Sequence, residues 1–270
     1  MQEIFETFKP VNSIVKEYVD YYYLDIKPDN IVNEFQCFPH FNNTISLYKS
    51  HVRLSSGEMV FDESAKSFQI FTPIREKILN VKQSGPVHRI VIVFHTLGIQ
   101  QFYNHLSFAD YIIGHKFFNG QEQNALFSTT KIETLTELLD RFLEKRFQKF
   151  DHAILEQTIQ YIFKHYEHFS VTKLAEALVI SRQHLNRVFQ AQLGVSVKKF
   201  HEIVLFRHTI NKKLFQDPDE SFTRLAYEFN FNDQSHLNKT YKILTENSPK
   251  SFFMKGTVLG NEDTFWHLLP

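Results

Sequence analysis

The hydrophobic pattern of the chain changes character near residue 130. Before that point, short apolar runs rich in β-branched and aromatic residues are separated by turn-forming Asn, Ser, Gly and Pro residues. The predicted strands are 32–38, 44–54, 67–72 and 87–95, and the predicted helical stretches are 13–22 and 98–106. This part of the chain therefore predicts an α+β domain, built on a sheet that could be barrel-like.

Helical periodicity dominates after residue 130. Residues 132–147 predict an amphipathic helix, with charged residues such as Asp140 on its outer side. Its apolar stripe consists of Leu135, Leu138, Leu139, Phe142 and Leu143. Such a stripe either packs into the core of its own domain or pairs two copies of the chain, and the sequence leaves both alternatives open. Residues 151–168 predict a second helix with an apolar side.

An internal repeat is the strongest pattern in the last hundred residues. Leu174-Ala175 is followed ten positions on by His184-Leu185-Asn186, and Leu225-Ala226 is followed eleven positions on by His236-Leu237-Asn238. A basic residue, a spacer and an aromatic residue come next in both copies, which lie about 51 residues apart. One supersecondary unit used twice explains the repeat. The natural candidate is the helix-turn-helix, whose second helix lies in the major groove of DNA.

The second helix of each unit has an apolar face and a polar face. At helical spacing the apolar side chains are Leu185, Val188 and Phe189 in the first unit, and Leu237, Thr240, Tyr241 and Leu244 in the second. The predicted DNA-binding side chains are Arg182, Gln183, Asn186, Arg187 and Gln190 in the first unit, and Gln234, Ser235, Asn238, Lys239 and Lys242 in the second. Amides and arginine make paired hydrogen bonds to base edges in the major groove. A solvated helix surface is the alternative interpretation, and the repetition argues against it.

Helix boundaries also fit two such units. Ser181 is placed to cap the second helix of the first unit, and Asn232 or Asp233 that of the second. Gly194 is a typical C-terminal stop. An apolar-periodic run from Ser196 to 214 predicts a long connecting helix that ends before Asp217-Pro218.

Residues from about 170 to 253 resemble the DNA-binding domain of the AraC/XylS family of bacterial transcription regulators. The matching residues are Leu174-Ala175, Ser181 to Phe189, Gly194-Val195-Ser196, Arg207, Leu225-Ala226, Phe229-Asn230-Phe231, Gln234 to Leu237, Tyr241-Lys242 and Ser248-Pro249. The resemblance implies seven helices with two helix-turn-helix units joined by one long helix, and RNA polymerase as a partner. By position it implies base contacts from Gln183, Asn186 and Arg187, and from Ser235, Asn238 and Lys239.

The sequence departs from the family pattern at two positions. The family usually has Gly where this chain has Asn230, and Gly near Glu246. Asn tolerates the left-handed conformation that such a Gly supplies. Near Glu246 we expect Asn247 to take that conformation.

Composition and charge narrow the class of protein. The chain has 270 residues, 43% of them hydrophobic, which predicts two domains with substantial cores. The net charge is zero, but residues 170–255 carry 13 Lys and Arg against 8 Asp and Glu. The basic excess therefore lies in the segment with the repeat, as DNA binding requires. A single cysteine, no long apolar run and no signal-peptide pattern predict a cytoplasmic protein without membrane contact.

Catalytic and metal-binding patterns are weak. His40, His88 and His95 lie on strand-like segments, but the spacing of carboxylates and further histidines favours polar packing over metal coordination. Cys37 has no acid–base partner at a suitable spacing, and the eight glycines form no phosphate-binding loop. The sequence therefore predicts no catalytic residues, no metal and no cofactor.

These patterns together predict a sequence-specific transcription regulator that is not an enzyme. Residues 1–150 form an α+β sensor or dimerisation domain, 151–255 an all-α DNA-binding domain, and 256–270 a loosely packed acidic and aromatic tail. The predicted partners are double-stranded DNA, a small-molecule effector and a second copy of the chain. The alternative is a small-molecule-binding protein or enzyme whose C-terminal helices serve only oligomerisation.

Overall fold

The computed structural model describes residues 2–269 and contains a sheet-rich part followed by a helical part. The strands are β1 (Ile4–Phe8), β2 (Val19–Lys27), β3 (Val32–Cys37), β4 (Asn43–Tyr48), β5 (His51–Arg53), β6 (Met59–Phe61), β7 (Phe68–Thr72), β8 (Leu79–Ser84), β9 (Val87–Phe94), β10 (Ile112–Ile113), β11 (Gly256–Val258) and β12 (Phe265–Leu269). The helices are α1 (Val15–Tyr18), α2 (Gly120–Phe127), α3 (Ile132–Glu144), α4 (Ala153–Lys164), α5 (Val171–Ala177), α6 (Arg182–Leu193), α7 (Val197–Asn211), α8 (Phe222–Glu228), α9 (Gln234–Thr245) and α10 (Pro249–Lys255).

The strands form two six-stranded sheets that stay open rather than closing into one barrel. The first has the order β1-β2-β9-β4-β7-β10, and the second has the order β11-β12-β3-β8-β6-β5. Pairing is antiparallel except between β6 and β8. The predicted α+β fold with an all-α C-terminal part is confirmed, but the sheets do not close into a barrel.

The first sheet is buried on both faces. Tyr22 and Leu24 on β2 and Ile92 on β9 point outward, against α3, in the largest buried cluster. Tyr21 and Tyr23 alternate with them and point toward the second sheet. Because both faces are covered, these strands are nearly continuous apolar runs without a period of two.

The apolar stripe of α3 belongs to this core. Leu135, Leu139 and Leu143 are fully buried among the side chains of the first sheet. The core interpretation is therefore confirmed, and pairing of two chains through this stripe was the wrong alternative. Asp140, predicted on the outer side, is also buried. Hydrogen bonds compensate for its burial, because it accepts one from the Tyr22 hydroxyl at 2.7 Å and one from each of two backbone amides.

Seven helices, α4 to α10, follow in the described chain, as the resemblance implies. One buried cluster joins α4, α5, α6 and the first half of α7, and another joins the rest of α7 to α8, α9 and α10. Both clusters also take in side chains from the sheet-rich part of the chain, including Ile74 after β7 and Phe38 after β3. No helix within residues 2–269 combines the length and apolar character needed to cross a membrane.

The C-terminal segment is not a loose tail, which corrects the prediction for 256–270. β11 and β12 form a hairpin, and β12 pairs with β3 from Trp266 opposite Cys37 to Leu269 opposite Glu34. Phe265, Trp266 and His267 are all buried. The strand is too short to show a hydrophobic period, so the sequence alone did not indicate that it is a strand.

Local predictions failed where tertiary packing overrides propensity. Residues 13–22 form only the single turn α1, and β2 begins at Val19, because its aromatic side chains fill both faces of the first sheet. Residues 98–106 contain only a 3₁₀ turn, Ile99–Gln101. Residues 44–54 form two strands, β4 and β5, because the chain turns at Ser50, which has φ 54°.

Candidate nucleic-acid interface and central cavity

The two helix-turn-helix units have the same backbone hydrogen bonds. In the first, the Ile180 amide donates to the Ala175 carbonyl at 3.0 Å, and in the second the Phe231 amide donates to the Ala226 carbonyl at 2.9 Å. The residue before each donor is left-handed: Val179 has φ 54° and Asn230 has φ 55°. The internal repeat in the sequence is therefore a repeat in structure, and the left-handed role predicted for Asn230 is confirmed.

The predicted helix caps are present. Ser181 accepts a hydrogen bond from the His184 amide at 3.1 Å, and Asp233, rather than Asn232, accepts one from the His236 amide at 2.7 Å. Each cap fixes the first turn of the helix that carries the polar face. At the other end, Gly194 has φ 73° and Glu246 has φ 59°. Glu246 itself, and not Asn247, takes the left-handed conformation.

The predicted side chains of the first unit lie on α6 and are exposed, apart from Asn186. Several of them make short-range contacts: Arg187 lies 3.0 Å from the His184 ring, and Gln190 donates to the Gly194 carbonyl at 2.6 Å. Gln183 makes no side-chain hydrogen bond within residues 2–269 and is free to meet a base edge. Arg187 is also available, because its side chain makes a single hydrogen bond and that bond is exposed to solvent.

Asn186 differs from the other predicted residues. It is half-buried, its amide nitrogen donates to the Arg182 carbonyl at 3.1 Å, and its amide oxygen accepts from the Val197 backbone at 3.2 Å. The bond from Val197 ties α6 to the start of α7. A base contact from Asn186 would have to replace both of them, so its structural role is the stronger one.

The predicted side chains of the second unit lie on α9, and all are exposed. Gln234 accepts a hydrogen bond from the Thr223 hydroxyl at 2.7 Å, which links the two helices of the unit. Ser235, Asn238, Lys239 and Lys242 make no side-chain hydrogen bonds in the described part of the chain. The second unit therefore presents more unengaged polar groups than the first.

Val179 provides a test of the turn geometry. A β-branched side chain at positive φ costs at least about 1–2 kcal/mol, and Val179 is 90% exposed, so little packing offsets this cost. We expect Val179→Gly to raise the free energy of unfolding by about 0.5–1 kcal/mol, after the entropic cost of Gly is subtracted. Urea denaturation measures this, with Val179→Asn, the residue of the second unit, expected to give a smaller gain. A decrease in stability for both variants would contradict the turn geometry.

A cavity of about 770 Å³ lies between the two sheets. Its walls include Tyr21 and Tyr23 from β2, Tyr48 from β4, Phe35 from β3 and Trp266 from β12. Phe35 and Trp266 stack with ring centroids 4.6 Å apart. Large aromatic surfaces at this volume are typical of a small-molecule site.

One partner of a buried ion pair, Arg89, forms part of the cavity wall. Arg89 lies opposite Asp25 on β2 and opposite Tyr48 on β4, and its Nη2 donates to Asp25 Oδ2 at 2.8 Å. Its guanidinium carbon lies 5.2 Å from the Tyr23 ring centroid and 5.8 Å from that of Trp266. The sequence prediction missed this site, although single charged residues in otherwise apolar strands were a signal for it.

The candidate histidines and the cysteine do not assemble a reactive centre. His40 is buried, His88 packs against the Phe127 ring and His95 is exposed. No group of three or more His, Cys, Asp or Glu within residues 2–269 could hold a metal ion. Burial raises the pKa of the Cys37 thiol, which opposes formation of the reactive thiolate.

Comparisons with known proteins agree with this geometry. Residues 174–255 match the family model described as a helix-turn-helix domain, and no curated protein matches the chain. The fold is similar to that of ToxT from Vibrio cholerae, at 11% identity over 86% of this chain and 98% of ToxT, with a TM-score of 0.50. ToxT with bound unsaturated fatty acid gives 12% identity over 97% of this chain and 100% of that one, with a TM-score of 0.48. The C-terminal domain of AraT, a response regulator from Geobacillus stearothermophilus, gives 20% identity over 42% of this chain and 92% of that domain, with a TM-score of 0.37.

The matched region begins at Leu174 in α5 and ends at Lys255, the last residue of α10. It therefore contains both recognition helices, α6 and α9, and the connecting helix α7. Residues 174–255 are therefore a helix-turn-helix domain of the AraC type, a kind of domain that binds DNA.

Proposed function

We propose that the chain binds specific double-stranded DNA sequences through α6 and α9 and that its N-terminal domain senses a small molecule. The observation that carries the first part is the duplication. Two helices, each with a side-chain N-cap and the same preceding turn, both present exposed amide and basic side chains. One such helix is an ordinary protein surface. Two in one domain fit two segments of major groove about one helical turn apart.

The proposed base contacts are made by Gln183 and Arg187 on α6 and by Ser235, Asn238 and Lys239 on α9. Lys242, Arg182, Gln190 and Gln234 lie beside them and are proposed to contact phosphates or neighbouring bases. The modest basic excess of residues 170–255 limits sequence-independent attraction to DNA. Specificity therefore has to come mainly from the base contacts.

Selection of bound duplexes from a random DNA pool, with the full chain, tests this proposal. Recovery of one preferred sequence and its retardation in a mobility-shift assay support a regulator. Absence of any preferred sequence would favour a small-molecule-binding protein or enzyme whose C-terminal helices serve oligomerisation.

Substitutions on α6 and α9 separate base contacts from phosphate contacts. Arg187→Ala is expected to weaken binding to the selected duplex by about 1–3 kcal/mol and to relax the preference at one base pair, because arginine bonds both acceptors of guanine. Lys242→Ala is expected to weaken binding about equally on all sequences. Fluorescence anisotropy with the selected duplex and single-base variants of it measures both effects. If Arg187→Ala binds the selected duplex as tightly as the unchanged chain does, α6 does not contact the bases.

The sensing part of the proposal rests on the central cavity, which residues 1–150 form together with the C-terminal hairpin. Its aromatic walls fit the apolar portion of an amphipathic molecule. Arg75 on its rim donates at 3.1 Å to the Asn42 side chain and has no carboxylate partner in the described chain, so it can meet a polar or anionic group. We include a second copy of the chain and RNA polymerase as partners on the family resemblance alone.

A further inference from the structure

The two faces of β12 belong to two different cores. Phe265 packs on the Phe252 ring of α10 at 5.1 Å and shares a buried cluster with Leu237 and Tyr241 of α9. Trp266, the next residue, faces the opposite way and stacks on Phe35 in the cavity wall. Because neighbouring side chains of a strand point to opposite faces, one strand touches both the cavity and the second helix-turn-helix unit.

The strand continues this division at its next residue. His267 Nε2 lies 2.8 Å from the Phe252 carbonyl, and the two rings lie 5.3 Å apart. The His267 ring also packs on Phe38 at 4.5 Å. The helical side of β12 is therefore held by hydrogen bonding as well as by apolar contact, so β12 and α10 cannot move independently.

Asp263, in the turn before β12, makes a second connection. Its carboxylate accepts two hydrogen bonds from Arg207, which lies on the connecting helix α7. It also lies 2.9 Å from His40 Nε2 in the N-terminal domain. Nδ1 of His40 accepts from the Asn42 amide, so the neutral ring carries its proton on Nε2 and donates to Asp263.

Electrostatics hold this junction together at neutral pH. Burial opposes ionisation of Asp263, but Arg207 and His40 outweigh it and hold the pKa of Asp263 well below its usual range. Burial and the charge of Arg207 lower the pKa of His40 to about 4, so the ring stays neutral. The Arg207 side chain is only 4% exposed and has no other carboxylate partner within residues 2–269. Loss of Asp263 would leave a buried cation, which ties the position of α7 to that of the hairpin.

We infer that the hairpin Gly256–Leu269 transmits the state of the central cavity to the helix-turn-helix domain. Trp266 is its contact to a molecule in the cavity, and Phe265 and Asp263 are its contacts to α10 and α7. The inference rests on the proposed sensing function and identifies the residues that would connect the cavity to the DNA-binding helices. A bound amphipathic molecule that displaces the Trp266 ring must shift Phe265 with it, and so favours one arrangement of the two recognition helices over another.

The protein carries its own probe for this coupling, because Trp266 is its single tryptophan. Linkage is reciprocal: if the cavity influences DNA binding, DNA binding must influence the cavity. Tryptophan emission of the full chain is recorded while the selected duplex is added, and the anisotropy of labelled duplex reports binding in parallel. We expect the emission maximum to shift by several nanometres at the same DNA concentration at which anisotropy saturates.

Two neighbouring substitutions provide the matched pair. Asp263→Asn keeps the shape but weakens the contact with Arg207, and we expect the emission shift to fall below half. Glu262→Gln removes a charge one residue away that pairs at 2.8 Å with Lys9, the residue after β1. This change leaves α7 untouched, so the shift should persist. Near-ultraviolet circular dichroism confirms that each variant is folded.

The outcomes separate the inference from the proposal beneath it. A chain that binds no DNA overturns the proposed function. A chain that binds the duplex with unchanged tryptophan emission, or an emission shift equal in Asp263→Asn and the unchanged chain, overturns the route through the hairpin and leaves DNA binding intact.

Discussion

Truncation of the chain after Lys255 is expected to remove most of its folding stability. Phe265 and Trp266 are 2% and 8% exposed, and loss of a buried aromatic side chain of this size costs about 3–5 kcal/mol. The truncation would also expose the edge of β3 and leave Arg207 without Asp263. Because a typical domain has only about 5–15 kcal/mol of stability, the truncated chain should be largely unfolded near room temperature.

Urea denaturation followed by far-ultraviolet circular dichroism measures this loss. Leu268→Ala is the control, because Leu268 is 44% exposed and its truncation should cost less than about 1 kcal/mol. A truncated chain with the same unfolding midpoint as the full chain would restore the interpretation of 256–270 as a loose tail.

The DNA-binding half was predictable because its signals are local. The left-handed turn residues, the capping side chains and the two faces of α6 and α9 all depend on spacings of ten residues or fewer. Asn186 is the exception. Its position on the helix predicts a free side-chain amide, but the amide oxygen accepts a hydrogen bond from Val197, eleven positions away. Glu246 is a smaller exception, because the sequence favours its neighbour Asn247 for the left-handed position that Glu246 takes.

The sheet-rich half was predicted only as a class, because its order depends on distant pairs. β12 lies beside β3, more than 200 residues away, and no local pattern indicates that pairing. The predicted helix 13–22 includes the first four residues of β2, because a strand covered on both faces has no alternation to distinguish it from a buried helix. The residues that line the cavity were not predicted for the same reason, since they are alternate residues of strands whose pairing was unknown.

Removal of Asp25, the ion-pair partner of the cavity-lining Arg89, is expected to have a larger effect on stability than any other single substitution proposed here. The side chains of Asp25 and Arg89 are 2% and 4% exposed, and removal of one partner from a buried ion pair costs about 3–5 kcal/mol, because the other charge stays in a low-dielectric site. Asp25→Ala should therefore lower the urea midpoint strongly. Thermal and urea unfolding of the full chain measure the change.

The double variant Asp25→Leu with Arg89→Met tests whether the ion pair stabilises the fold or is kept for binding a molecule in the cavity. Arg89 Nε and Asp25 Oδ1 have no hydrogen-bond partner within residues 2–269, so the pair is incompletely satisfied and costs more to bury than a fully bonded one. We expect the double variant to regain most of the stability lost in Asp25→Ala, because two apolar side chains of similar volume fill the space without charge. A double variant as unstable as Asp25→Ala would contradict this expectation. If stability returns, the pair is not needed to hold the sheets together. The unpartnered Nε of Arg89, which lines the cavity beside Trp266, is then best explained as a group that a molecule in the cavity would satisfy.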